Sequence, residues 1–142
     1  MASASKSKIM TVDIEKLWNV VIDYPRYPEF VEGAKKVEIL SQSSNQKRVR
    51  YSIELLGKDI WYELEHLENS PREMTWSLVD SNIMKLNNGG WRLEPSADGK
   101  LEVTYSLELE FKIYVPGMVL NGLVKTSLPK LLDSFENRAK NI

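Results

Sequence analysis

The chain has 142 residues and no cysteine, so it is long enough to bury one core, and disulfides, thiolate metal sites and cysteine nucleophiles are excluded. Its 19 basic and 20 acidic residues leave a net charge of -1, without the basic footprint that direct nucleic-acid binding needs. No apolar run reaches the roughly 18 residues of a membrane helix, and Met1-Ala2-Ser3-Ala4-Ser5-Lys6 lacks the apolar core of a secretory signal, so a cytoplasmic protein is expected.

From Val12 to about Ile22, Ile14, Leu17, Trp18 and Val21 recur at helical spacing, with Thr11 as the expected N-cap and Asp13 and Glu15 at the positive end of the dipole. Pro25 should stop this helix near Asp23, and Pro25-Arg26-Tyr27-Pro28-Glu29-Phe30 reads as a short helical turn or corner. Val37 and Ile39 mark a short strand, which turns at Ser43-Ser44-Asn45. Val49, Tyr51, Ile53 and Leu55 then alternate with Arg48, Arg50, Ser52 and Glu54, the pattern of a half-buried strand with a solvated charged face. Gly57-Lys58 suits a hairpin into Ile60, Tyr62, Leu64 and His66, and Asn69-Ser70-Pro71-Arg72 a turn into Met74, Trp76 and Leu78.

Between Asn82 and Pro95 the phase is irregular, and Gly89-Gly90 is expected to form a bulge that re-aims Trp91 and Leu93 inward. A phosphate-binding loop there would lack its lysine and its strand-to-helix context. Asp98-Gly99 signals a hairpin into the clearest strand. In it Leu101, Val103, Tyr105, Leu107, Leu109 and Phe111 alternate with Glu102, Thr104, Ser106, Glu108 and Glu110. After Pro116 a long helix carries the stripe Leu120, Leu123, Val124, Leu128, Leu131, Leu132, Phe135 and Ala139, widened early by Met118 and Val119. Pro129 inside the stripe should bend the helix or open its hydrogen-bond ladder.

Two helical segments, about six meandering strands and one long helix imply an α+β domain with the helix packed on one sheet face. The inward phase carries Tyr51, Tyr62, Trp76, Trp91 and Tyr105, large rings with polar tips. Apolar walls with a few convergent polar groups describe a small-molecule site. The expected ligand-binding set is Tyr51, Ile53, Tyr62, Leu64, His66, Trp76, Trp91, Tyr105, Leu107, Leu120 and Val124. Filling of the core by the same aromatics is the competing reading.

Glu15-Lys16-Leu17-Trp18 and Asp23-Tyr24-Pro25-Arg26-Tyr27-Pro28-Glu29-Phe30-Val31 resemble the opening of START-like (SRPBCC) proteins, in particular their polyketide cyclase/dehydrase and coenzyme Q-binding branches. Gly90-Trp91-Arg92-Leu93-Glu94-Pro95, Val115-Pro116-Gly117 and Ser127-Leu128-Pro129-Lys130-Leu131-Leu132 are similar to the same group. The resemblance implies a single START-like domain over residues 1–142 with a helix-grip fold. In that fold a seven-stranded antiparallel sheet wraps a long C-terminal helix, with two short helices after a first strand, here Ser3 to Met10. It also implies a cavity for lipids, quinones or polyketides. Some members are cyclases or aromatases, some are carriers, and one bacterial branch is described as a ribosome-associated toxin.

His66 is the only histidine, and no nucleophile elbow or metal-ligand spacing accompanies it, so no metal or other cofactor is expected. Cyclase chemistry needs a polarised carbonyl and a positioned proton donor. Tyr51, Tyr62, His66 and Tyr105 could supply the donor, but Arg48, Arg50 and Arg92 all read outward. Catalytic residues are not assigned, and binding or transport of a hydrophobic small molecule is preferred. A polyketide cyclase or aromatase, and a ribosome- or membrane-associated interaction protein, stay open beside it. The expected partner is the ligand, without direct nucleic-acid contact. Transient membrane contact is left open, as are a monomer and a homodimer.

Overall fold

The computed structural model describes residues 2–55 and 57–141, with only the backbone of residues 2, 123 and 124. Strand β1 spans Ala2–Met10, helix α1 Ile14–Val21 and a 3-10 helix Tyr24–Glu29. The strands β2 (Ala34–Ser43), β3 (Gln46–Leu55), β4 (Lys58–Asn69), β5 (Glu73–Ser81), β6 (Met84–Pro95) and β7 (Leu101–Phe111) follow. The C-terminal helical segment consists of α2 (Gly117–Gly122), a π-helical stretch (Leu123–Ser127) and α3 (Leu128–Lys140). The seven strands form one antiparallel sheet in the order β1-β7-β6-β5-β4-β3-β2. This is the helix-grip fold.

The first strand pairs with the last, from Ala2 opposite Leu109 to Met10 opposite Leu101. Its Ser-Lys alternation carries almost no apolar signal because it is a sheet edge. Side-chain hydroxyl pairs, Ser7 with Thr104 at 2.9 Å and Ser5 with Ser106 at 3.3 Å, bind its outer face to β7. On the inner face the Lys8 ammonium pairs with Asp133 and, at 2.6 Å, with Glu136 of α3. Glu136 also accepts the backbone N–H of Thr11 at 3.2 Å. Thr11 therefore helps fasten α3, and Asp13, not Thr11, occupies the N-cap of α1.

Helix α1 buries Leu17, Trp18, Val20 and Val21 on one face. It ends two residues before the expected point, and the Tyr27 hydroxyl donates to the freed carbonyl of Val21. Pro25 opens the 3-10 helix, where its missing N–H costs nothing. The C-terminal helix is not continuous. Pro129 cannot donate to the carbonyl one turn earlier, and the ladder widens to π spacing immediately before α3.

The irregular phase of β6 has a different origin from the one expected. The register slips between Met84 and Leu86 on the β7 side, whereas Gly89 and Gly90 are in regular register with Leu107 and Ser106. Asn87, Gly89, Trp91 and Leu93 thus share the inner face. Gly89 is demanded by close packing instead: a Cβ there would lie 2.4 Å from Cζ2 of Trp76 and 2.3 Å from the Ser106 carbonyl oxygen.

Candidate functional site

The inner sheet face is sealed at one end and half-open at the other. On β7, Leu101 and Val103 are 3% and 0% exposed, whereas Tyr105, Leu107, Leu109 and Phe111, in the same phase, are only half-buried. Helix α3 closes the sealed end through Phe135, whose ring centroid lies 4.7 Å from Trp91, 5.4 Å from Tyr27 and 5.0 Å from Phe30. Ile53 on β3, Leu78 on β5 and Leu120 on α2 are half-buried as well.

The five inward aromatics come together with His66. Tyr51 and Tyr62 stack at 4.9 Å and 11°. Trp91 meets Tyr105 edge-on at 5.0 Å, and Trp76 lies 5.4 Å from Tyr105. His66, 6.0 Å from Trp76 and 5.9 Å from Tyr51, links the two groups. Leu64 and Trp91 are buried in this array, and Leu107 packs against it. The side chain of Val124 lies outside the described residues.

Polar tips in the array divide into two kinds. Trp76 donates its indole N–H to Asn87 Oδ1 at 2.9 Å, and the Tyr51 hydroxyl bonds His66 Nε2 at 2.7 Å. The hydroxyls of Tyr62 and Tyr105 have no hydrogen-bond partner among the described residues. Since no buried polar side-chain atom there lacks a partner, both oxygens keep some accessible surface. Burial raises the pKa of both phenols, and that of Tyr105 is raised further by Tyr62. Both are neutral groups able to donate.

His66 is 2% exposed. Burial, helped by the Lys47 charge, pulls its pKa down to about 3. It is neutral at physiological pH, holding Tyr51 on one side and the Met74 thioether (3.0 Å) on the other. Its proton affinity is far too low for a general base working near neutrality.

An inward charge pair escaped the sequence reading. Glu68 accepts the Tyr24 hydroxyl at 2.6 Å and pairs with Lys47 at 2.9 Å. Extending the alternation of β4 from His66 by one step, and of β3 back from Val49, would have found both residues. Stepping back along β6 from Trp91 through Gly89 would have found Asn87 as well, because the register slip lies beyond it, between Met84 and Leu86. Arg48, Arg50 and Arg92 do lie outward, paired with Glu65, Glu63 and Glu73. Among the described residues no cluster of His, Asp or Glu is arranged to hold a metal. A separate cleft of about 250 Å³ is lined by Asn19, Val20, Asp23, Arg26, Phe30 and Arg138, from α1, the corner after it and α3.

Residues 10–136 match the family model described as polyketide cyclase / dehydrase and lipid transport. The chain belongs to this family. Its curated relatives are distant. The ribosome association toxin RatA of Vibrio cholerae is 24% identical over 142 residues, covering 100% of this chain and 98% of the toxin. The persistence and stress-resistance toxin PasT of Escherichia coli is 22% identical, covering 100% and 89%. Among solved structures, a START superfamily protein from Mycobacterium smegmatis superposes with a TM-score of 0.84 at 19% identity, covering 97% of each chain. The Zhui aromatase/cyclase from Streptomyces sp. R1128 does so with 0.84 at 14%, covering 98% of this chain and 93% of its own. At these identities the structural likeness carries the START/SRPBCC fold.

Proposed function

We propose that the chain, acting as one START-like domain, binds and carries a hydrophobic small molecule, lipid-, quinone- or polyketide-like, against the half-open end of the inner sheet face. The observation that carries this reading is the pair of hydroxyls, Tyr62 and Tyr105, that have no hydrogen-bond partner among the described residues and stand in a wall of half-buried apolar side chains. A core that only packed would leave the apolar end closed and the phenols satisfied. The stacked Tyr51–Tyr62 pair offers a flat face, and the two hydroxyls offer donors to carbonyl or ether oxygens of a ligand.

A cyclase reading draws on the same two hydroxyls, which could polarise a carbonyl. It is less favoured because His66 is neutral and committed to Tyr51, and because the inward acid, Glu68, is already paired with Lys47. The experiment is native mass spectrometry of the protein purified from its host, followed by solvent extraction. A retained apolar molecule is expected, and an empty protein that also fails to take up the dye 1-anilinonaphthalene-8-sulfonate sinks the proposal. Tyr62→Phe and Tyr105→Phe, which keep the rings, should each weaken binding of the extracted molecule roughly fivefold, the worth of one hydrogen bond. Isothermal titration checks this, and unchanged affinity in both variants would place the ligand elsewhere.

A further inference from the structure

We propose that the segment from Lys112 to Lys130, at the open end of the inner face, docks on the surface of an anionic lipid bilayer. Three exposed apolar side chains cluster within six residues there: Ile113, 44% exposed, Tyr114, 87%, and Met118, 85%. Among the described residues these are the two highest exposures of large apolar side chains together with a near neighbour in sequence. Such a group on an otherwise polar surface marks a contact site.

Charge identifies the occupant. From Phe111 to Leu132 the sequence has no Asp or Glu, yet it carries Lys112, Lys125 and Lys130, in a chain with more acidic than basic residues. The acids that bracket the stretch are paired: Glu110 with Lys85 at 3.6 Å, and Asp133 with Lys8. Aromatic, thioether and aliphatic groups in one segment with lysines that have no acidic partner among the described residues are complementary to anionic headgroups over acyl chains. No helix among the described residues is long and apolar enough to cross a bilayer, so the contact is interfacial. Tyr114 suits the headgroup level, having an apolar ring and a polar tip. Because β7 ends at Phe111 and α3 closes the far end at Trp91, the docked segment would hold the half-open end of the inner face towards the lipid. The surface contact itself does not depend on the ligand proposed above.

The test is flotation of the full chain with vesicles of phosphatidylcholine alone and of phosphatidylcholine with phosphatidylglycerol. Binding is expected only to the anionic vesicles, weakening as salt is raised. Lys125→Gln and Lys130→Gln should each lower the partition coefficient about fivefold, the worth of one lysine near an anionic surface. The double variant Tyr114→Ser, Met118→Ser should abolish it. All four side chains are exposed, so thermal melts of the variants should match the parent. Equal recovery with neutral and anionic vesicles, or binding indifferent to both sets of substitutions, overturns the proposal. So does a homodimer that Tyr114→Ser dissolves while vesicles bind nothing, since the patch would then face a second copy. A protein that retains its apolar ligand but never floats fails this test while leaving the carrier reading intact.

Discussion

Gly89→Ala is expected to destabilise the fold by about 3–5 kcal/mol, a large part of the roughly 5–15 kcal/mol typical of a domain. The added methyl would sit 2.3 Å from the Ser106 carbonyl oxygen and 2.4 Å from Cζ2 of Trp76. Neither can yield cheaply. Ser106 belongs to the backbone of β7, which pairs with β6 across this position. Trp76 is held by its bond to Asn87 at 2.9 Å and by the rings of Tyr105 and His66. Relief requires β6 to draw away from β7, adding lost ladder bonds of about 1 kcal/mol each to the roughly 1–3 kcal/mol of overpacking. Gly90→Ala is the control. Its Cβ would come no nearer than 3.0 Å, to the Met74 carbonyl oxygen, and a cost of about 1 kcal/mol is expected. Urea unfolding of the two variants checks the difference, and equal stabilities would show that Trp76 does not sit where its neighbours hold it.

The second large effect is acid sensitivity centred on His66. An unfolded histidine titrates near 6.5, whereas the native one is held down to about 3 by burial and then by Lys47. Below pH 6.5 the unfolded chain binds a proton that the native protein refuses, so stability is fully present above that pH and falls as pH drops towards 3. At about 1.4 kcal/mol per pH unit the loss reaches roughly 2 kcal/mol by pH 5. Urea midpoints between pH 8 and pH 5 should show this slope in the parent protein. The slope should vanish in His66→Gln, which can still accept from Tyr51 but does not titrate. Parallel pH profiles for the two proteins would mean that His66 is solvated and protonates in place.

The two layers of the fold were legible because their signals are periodic. The alternation from Leu101 to Phe111 and the stripe from Leu128 to Ala139 describe surfaces that bury one face each, and both elements are present. Strand β1 was legible only through family resemblance, since its Ser and Lys residues are held by hydroxyl pairs and ion pairs that leave no apolar imprint. The convergence of Tyr51, Tyr62, Trp76, Trp91 and Tyr105 followed from phase alone. Which of their polar tips are satisfied did not, because phase alone does not say which polar groups of different strands come within bonding distance, as Asn87 does for Trp76. The role of Gly89 was misread for a related reason: a missing side chain signals either backbone freedom or crowding, and only the neighbour across the sheet decides between them.

The pairing of β1 with β7 and the clasp of Lys8 on Asp133, 125 residues away, also bear on how the protein is assembled. β1 has no native strand partner until β7 has been synthesised, whereas each strand from β2 to β7 pairs with its neighbour in sequence. Closing the β1 edge and clasping α3 through Lys8 both join segments from opposite ends of the sequence. Damage at either end of the chain should therefore register at the other.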